Sequence, residues 1–256
     1  MVLTDELFEK GKNQKTICSV LNNDYVLLKK KMPCTDEELQ TYINNIRKAK
    51  DSGINICSIV DYRLIDGTTS KYTTQGKDIS YTAGVFIEDR AKGTTNDGLT
   101  CEEYISDLEK RASADQIIYD KFVQDYVGIF NFDLTPDPKP TNFFFDEKDG
   151  FSIIDVIDVK NTSNQYLARY IITAVFGYGI PVFKPGNILT ESMYARFCKA
   201  KEEIFHKVVT SIKKLNLEDE FTKEDLEYSD LNLSFDKYVT KNDDLINYIN
   251  DSNNQR

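Results

Sequence analysis

The run Asp137-Pro-Lys139-Pro-Thr-Asn142 puts a carboxylate, an ammonium and a carboxamide in one short stretch. Downstream, Ile153-Ile-Asp155 ends an apolar stretch on a second carboxylate. Transfer of a γ-phosphoryl group needs a carboxylate beside the acceptor hydroxyl. It also needs oxygen ligands for Mg²⁺, which neutralises the triphosphate. Asp137 is of the right type for the first task, and Asn142 and Asp155 for the second. Asp155 sits between apolar pairs, so it is expected to be semi-buried and to need a partner or a metal. The plainer alternatives are a turn at the Asp-Pro and Lys-Pro pairs and an Asn142 that caps the Phe143-Phe-Phe145 strand.

These residues must be held by a loop, a strand, a turn and a second strand. The stretch 130–158 reads that way, with its turn at Asp149-Gly150. Before it, the chain reads as β-rich. Thr16–Leu21 and Tyr25–Lys29 flank Asn22-Asn23-Asp24, which predicts a hairpin over residues 16–31. Thr35-Asp-Glu-Glu38 is a capping box. Leu39, Tyr42, Ile43, Ile46 and Ala49 follow at helical spacing, and Gly53 ends the helix. Extended runs are predicted at 54–65 and 81–88, separated by a polar stretch to Asp78. Residues 102–110 and 113–127 read as helices, as does most of the chain from Gln165, with a break near Gly177–Gly186. The tail after Lys241 is polar.

Composition excludes several classes. The 256 residues are 40% hydrophobic, enough for one large domain or two lobes. His206 is the only histidine, which excludes a multi-His metal site. The net charge of -10 disfavours nucleic-acid binding. Cys18, Cys34, Cys57, Cys101 and Cys198 are odd in number and never form Cys-x-x-Cys. They read as small core residues in a reducing, cytoplasmic setting, not as a disulfide framework or zinc site. Neither a signal peptide nor a membrane-spanning run is expected.

Asp137-Pro-Lys-Pro-Thr-Asn142 followed by Ile-Ile-Asp155 resembles the catalytic loop and metal-binding Asp of the protein-kinase-like superfamily. The likeness covers roughly residues 10–160 and looks most like compact bacterial effector-type kinases, some of which are delivered into host cells. It implies an α+β, bilobal fold: a small β-rich N-lobe over 1–91, a hinge connector over 92–98 and a mainly helical C-lobe over 99–256. It also implies ATP and Mg²⁺ as cofactors and a protein Ser/Thr hydroxyl as acceptor. Asp137 would be the catalytic carboxylate, Lys139 would steady the transferred phosphate, and Asn142 and Asp155 would hold the metal. Val26-Leu-Leu-Lys29 looks like the strand whose lysine grips the α- and β-phosphates, with Lys30 the alternative if the strand faces are exchanged. Glu38 is the candidate partner of that lysine, although the usual spacing points nearer Asn44. Phe86-Ile-Glu88-Asp-Arg90-Ala91 resembles the adenine-binding hinge, and Gly11-Lys-Asn-Gln-Lys-Thr16 lies where a phosphate-covering loop belongs.

The match leaves alternatives open. Asp133, in Asp133-Leu-Thr-Pro136, can also serve as the catalytic Asp, with 137–140 then an insertion. Thr135-Pro136 stands where the family has His-Arg, and Val156-Ile157 where it has Phe-Gly. A pseudokinase that binds nucleotide or a partner without catalysis is therefore one alternative. A small-molecule kinase of the aminoglycoside phosphotransferase type is another.

Overall fold

The computed structural model describes residues 1–14, 18–32, 36–65, 70–74, 77–95, 98–137, 139–158, 171 and 188–218. The fold is mixed α+β. In chain order it runs α1 (Asp5–Asn13), β1 (Cys18–Val20), β2 (Tyr25–Met32), α2 (Asp36–Asp51), β3 (Ile59–Leu64), β4 (Ser70–Thr74) and β5 (Lys77–Asp89). Then come α3 (Cys101–Ser113), α4 (Gln116–Gly128), β6 (Leu134–Pro136), β7 (Phe143–Asp146), β8 (Gly150–Ile153), β9 (Val156–Asp158) and α5 (Glu191–Lys214). The chain divides into two compact units. One takes Met1–Lys92, Asp125–Asp137 and the described part of Ser152–Asn161. The other takes Gly93–Gln124, Pro138–Phe151 and the described part of Thr162–Arg256.

The first unit is built on an antiparallel sheet in the order β1-β2-β5-β3, with β4 also paired to β5. The hairpin turn at Asn22–Asp24 works as the residue types suggest: Asn22 Oδ1 accepts from the backbone N–H groups of Asp24 and Tyr25. Strand periodicity then sorts the side chains of β2 and β5 onto two faces. One face carries Leu27 and Lys29, opposite Ile87 and Val85. Its apolar residues pack with Leu3, Leu7 and Phe8 into a core cluster under α1. The other face carries Leu28 and Lys30, opposite Phe86 and Gly84, with Glu88 further along. Tyr62 stacks on Phe86 there at 5.8 Å, and its hydroxyl donates to Gln40 of α2.

Helix α1 replaces the expected phosphate-covering loop. Thr4 caps it through its side chain, and Gly11 lies in its last turns. A Cβ on Gly11 would stand 2.4 Å from Val85 Cγ1. The glycine is therefore there for close helix–sheet packing, not for a phosphate cradle. Lys15–Ile17, the rest of that motif, lie outside the described residues. Helix α2 buries Leu39, Tyr42, Ile43, Ile46 and Ala49, the stripe its spacing predicts. Thr35 of its capping box lies outside the described residues. Strand β4 occupies part of what the sequence presents as a polar separator.

The second unit is helical around one short hairpin. A capping box starts α3: Thr100 Oγ1 accepts from the Glu103 N–H, and Glu103 reaches back to the Thr100 N–H. Helix α5 packs along α3, and Arg196 forks onto Glu109 at 2.8 and 2.6 Å. Aromatic rings fill the interior. Phe122 lies 4.6 Å from Phe151 and 5.8 Å from Phe143 between ring centroids. The predicted break at Gly177–Gly186 and the tail after Lys241 lie outside the described residues. No described helix is long and apolar enough to cross a membrane.

Candidate functional site

Strands β6 and β9 set the central geometry. They pair antiparallel, with Leu134 opposite Asp158 and Pro136 opposite Val156. The next rung brings Asp137 to Asp155, and the Asp137 N–H donates to the Asp155 carbonyl at 3.2 Å. Two carboxylate residues thus close one end of this ladder. Asp137 is buried, at 9% exposure, whereas Asp155 is exposed, not semi-buried as its apolar flanks predict, because it sits at the turn between β8 and β9.

Asp155 also turns the chain. Its φ of 52° is in the left-handed region, where Asp is tolerated better than most residues because its short side chain can bond locally. A non-glycine residue held there carries strain that tends to concentrate at functional positions. The rival Asp133 has a φ of 55°, but it ends a 3-10 turn at the other end of β6 and is exposed. Its N–H donates to Phe130 rather than to the Asp155 corner.

The two lysines of β2 part ways. Lys29 is exposed, and its Nζ donates to the Lys12 carbonyl at the end of α1, at 2.6 Å. Lys30 faces the other way, with Nζ 2.8 Å from Glu88 Oε1. Burial works against the Lys30 charge. Glu88, by charge and hydrogen bond, and then Asp155 and Cys18 outweigh it, so the ammonium is held above the ordinary lysine value. Lys30 therefore senses both Glu88 and Asp155 within one unit. The strand ladder fixes this outcome, since a lysine one residue earlier must point to the α1 side.

Glu88 is buried, at 8% exposure, and comes from β5, not from the helix where the partner of the lysine is expected. The carboxylates that act on Lys30, Glu88 and Asp155, both lie outside α2, the helix that carries Glu38. Asn44, the position nearer the usual spacing, is exposed and accepts from Gln40. Cys57 lies in the same charged neighbourhood. Burial first, then Glu88 and Asp89, push its thiol up to about 12, so it stays a neutral, inert thiol.

The expected hinge is engaged by the protein itself at two positions. The Asp89 N–H donates to the Ser58 carbonyl and the Arg90 N–H to the Asp24 carbonyl. The exposed Arg90 side chain reaches the Asn22 carbonyl at 3.3 Å. Asp89 Oδ2 accepts from the Ser58 N–H and pairs with Lys50 of α2.

Lys139 and Asn142 belong to the second unit. The exposed Lys139 starts a tight turn in which its carbonyl accepts from the Asn142 N–H at 2.9 Å. Asn142 is buried, at 7% exposure. The turn is anchored to the preceding chain: Thr95 Oγ1 donates to the Thr141 carbonyl, and Thr94 exchanges both backbone bonds with Phe145. Gly93 permits that approach, since its φ is +88° and a Cβ would fall 1.9 Å from the Phe145 carbonyl oxygen.

Among the described residues, no group of three or more His, Cys, Asp or Glu side chains could hold a metal ion. Magnesium asks for less, since one or two protein oxygens suffice when phosphate and water supply the rest. The exposed, hard carboxylate of Asp155 fits that donor set.

Sequence reasoning treats Tyr42 only as an apolar helix position. Its hydroxyl donates to the Val156 carbonyl at 2.6 Å, beside Asp155. The available signal is chemical: a tyrosine on a buried helix stripe needs a partner for its hydroxyl. The chain matches no protein-family model and none of the curated proteins, so the assignment of this site rests on its own geometry.

Proposed function

We propose that this chain is an ATP- and Mg²⁺-dependent phosphotransferase with a bilobal, protein-kinase-like architecture and a protein hydroxyl as acceptor. The observation that carries the reading is the end of the β6–β9 ladder, where Asp137 and Asp155 adjoin and the Asp155 charge acts on Lys30. A base, a metal carboxylate and a phosphate-gripping cation are the parts that phosphoryl transfer needs.

In this reading Asp137 orients the acceptor hydroxyl and takes its proton. Lys30 grips the phosphates. Asp155 is the metal carboxylate. When bound, Mg²⁺ supplies charge neutralisation for the triphosphate oxygens. Asp137 keeps its place over Asp133 because its backbone is bonded to Asp155.

A second reading is a nucleotide- or partner-binding module without catalysis. The hold of Glu88 on Lys30 favours it, because a phosphate must share or displace that contact. Thermal denaturation with ATP, with and without Mg²⁺, tests both readings. Ligand at a hundredfold its Kd stabilises the native state by about 2.7 kcal/mol. The wild type is expected to gain Mg²⁺-dependent stabilisation, and Asp155→Asn to lose it. Asn tolerates the left-handed backbone while removing the charge. Asp137→Ala should retain nucleotide binding and lose γ-phosphate transfer. If wild-type protein binds nucleotide but transfers nothing to any hydroxyl acceptor, the non-catalytic reading stands.

A further inference from the structure

We infer that the Tyr42 hydroxyl is the positioning group that ties helix α2 to the Asp155 corner and so sets that carboxylate for Mg²⁺. The inference rests on the phosphotransferase reading and deepens it.

The corner is a short piece of chain with two pinned carbonyls. The Asp155 carbonyl accepts from the Asp137 N–H at 3.2 Å. The next carbonyl, that of Val156, accepts from Tyr42 Oη at 2.6 Å, a buried bond between residues 114 positions apart. Immediately before the first of these anchors, Asp155 holds a left-handed φ of 52°. Such a conformation persists only where its surroundings over-determine it. The direction of a side chain follows its backbone, so whatever holds these two carbonyls also aims the Asp155 carboxylate.

Tyr42 is well built for this task. Its ring is buried, at 5% exposure, within the stripe that fixes α2 against the first unit. The position of the hydroxyl is therefore set by the packing of the whole helix. The charges acting on Lys30, those of Glu88 and Asp155, come from outside α2. The bond from Tyr42 gives the helix a polar connection to the corner that does not run through the lysine. Any shift of α2 would be felt at Val156 and hence at Asp155. Loss of a hydrogen bond that supports a metal ligand typically costs about 10–100-fold in metal affinity.

The test uses Tyr42→Phe, which keeps the buried ring and deletes the hydroxyl. Tyr62→Phe is the control, because it deletes a hydroxyl that also bonds α2, at Gln40, but does not approach Val156. A non-hydrolysable ATP analogue is held fixed while Mg²⁺ is titrated, with melting temperature as the readout. In Tyr42→Phe the half-saturating Mg²⁺ concentration should rise by roughly tenfold or more. Binding of the analogue without Mg²⁺ should be unchanged, and Tyr62→Phe should track the wild type. A Mg²⁺ half-saturation equal to wild type in Tyr42→Phe overturns the inference. So does an equal loss of Mg²⁺-free binding, which marks a general structural role. If the wild type itself shows no Mg²⁺-dependent response, the phosphotransferase reading fails and this inference with it. If the wild type responds and Tyr42→Phe matches it, only the role of Tyr42 falls.

Discussion

Arg111 and Lys30 each face a carboxylate, at 2.7 Å for Asp107 and 2.8 Å for Glu88, but in unlike surroundings. The Arg111 side chain is wholly buried and that of Asp107 is 7% exposed. They are one helical turn apart on α3, and their hydrogen bonds stay within the same unit, while Arg111 Nη1 is buried with no hydrogen-bond partner among the described residues. Asp107 accepts from Thr94 Oγ1, Arg111 donates to the Thr94 carbonyl, and the guanidinium lies over the rings of Phe145 and Phe151. Lys30 and Glu88 sit on neighbouring strands, with side chains 24% and 11% exposed, and a third charge, Asp155, acts on the lysine. The first pair is closed and serves the fold. The second leaves part of the lysine side chain exposed, which suits a group that must meet a ligand.

Breaking the closed pair should have the largest effect. Asp107→Ala strands the Arg111 charge in the interior, and loss of one partner of a buried pair costs about 3–5 kcal/mol. Urea unfolding should show this as a lowered midpoint with little change in slope. A loss under about 1 kcal/mol would mean that water reaches Arg111 and that the contrast with Lys30 is weak.

The open pair should yield a smaller and pH-dependent loss. Glu88→Gln is expected to cost about 1–2 kcal/mol at neutral pH, since hydrogen bonds to charged groups contribute about 1.5–3 before discounting for exposure. The lysine pKa is raised from 10.5 in the folded protein. Its contribution is therefore fully present below the unfolded value and disappears as pH rises through the folded one. The gap between wild type and Glu88→Gln should hold from neutrality to about pH 10 and narrow above it. A gap that narrows between pH 7 and 9 would contradict the raised value.

Lys29→Met sharpens the contrast with the smallest change. Lys29 is exposed, and its Nζ donates to the Lys12 carbonyl at the end of α1. Stability should stay within about 0.5 kcal/mol of wild type. Nucleotide-dependent stabilisation should persist, whereas Lys30→Met should reduce it. Equal losses from both substitutions would mean that the face assignment of β2 does not govern binding.

Local chemistry made much of the architecture legible. The β1–β2 hairpin, the buried stripe of α2 and the strand–turn–strand after Asn142 follow from turn residues and periodicity. Helix α1 was hidden because its Gly11 resembles a phosphate-loop glycine, whereas its cause is the approach of Val85, a residue far away in sequence. Strand β4 was hidden because its pairing to β5, not its own composition, makes it a strand. The pairing of Lys30 with Glu88 was equally out of reach, since a carboxylate three strands away in sequence has no local signature.

The sequence by itself determined which chemical groups are present and their spacing: Asp137, Lys139 and Asn142 in one loop, Asp155 at a strand end, and adjacent lysines on one strand. Only the tertiary structure decided among them. A strand alternates its side chains, so Lys29 and Lys30 were interchangeable until pairing with β5 gave each a face. Asp133 and Asp137 flank the same three-residue strand, and the antiparallel register of β6 with β9 put Asp137 beside Asp155. Register is a property of two strands at once, so neither strand's residues could specify it alone.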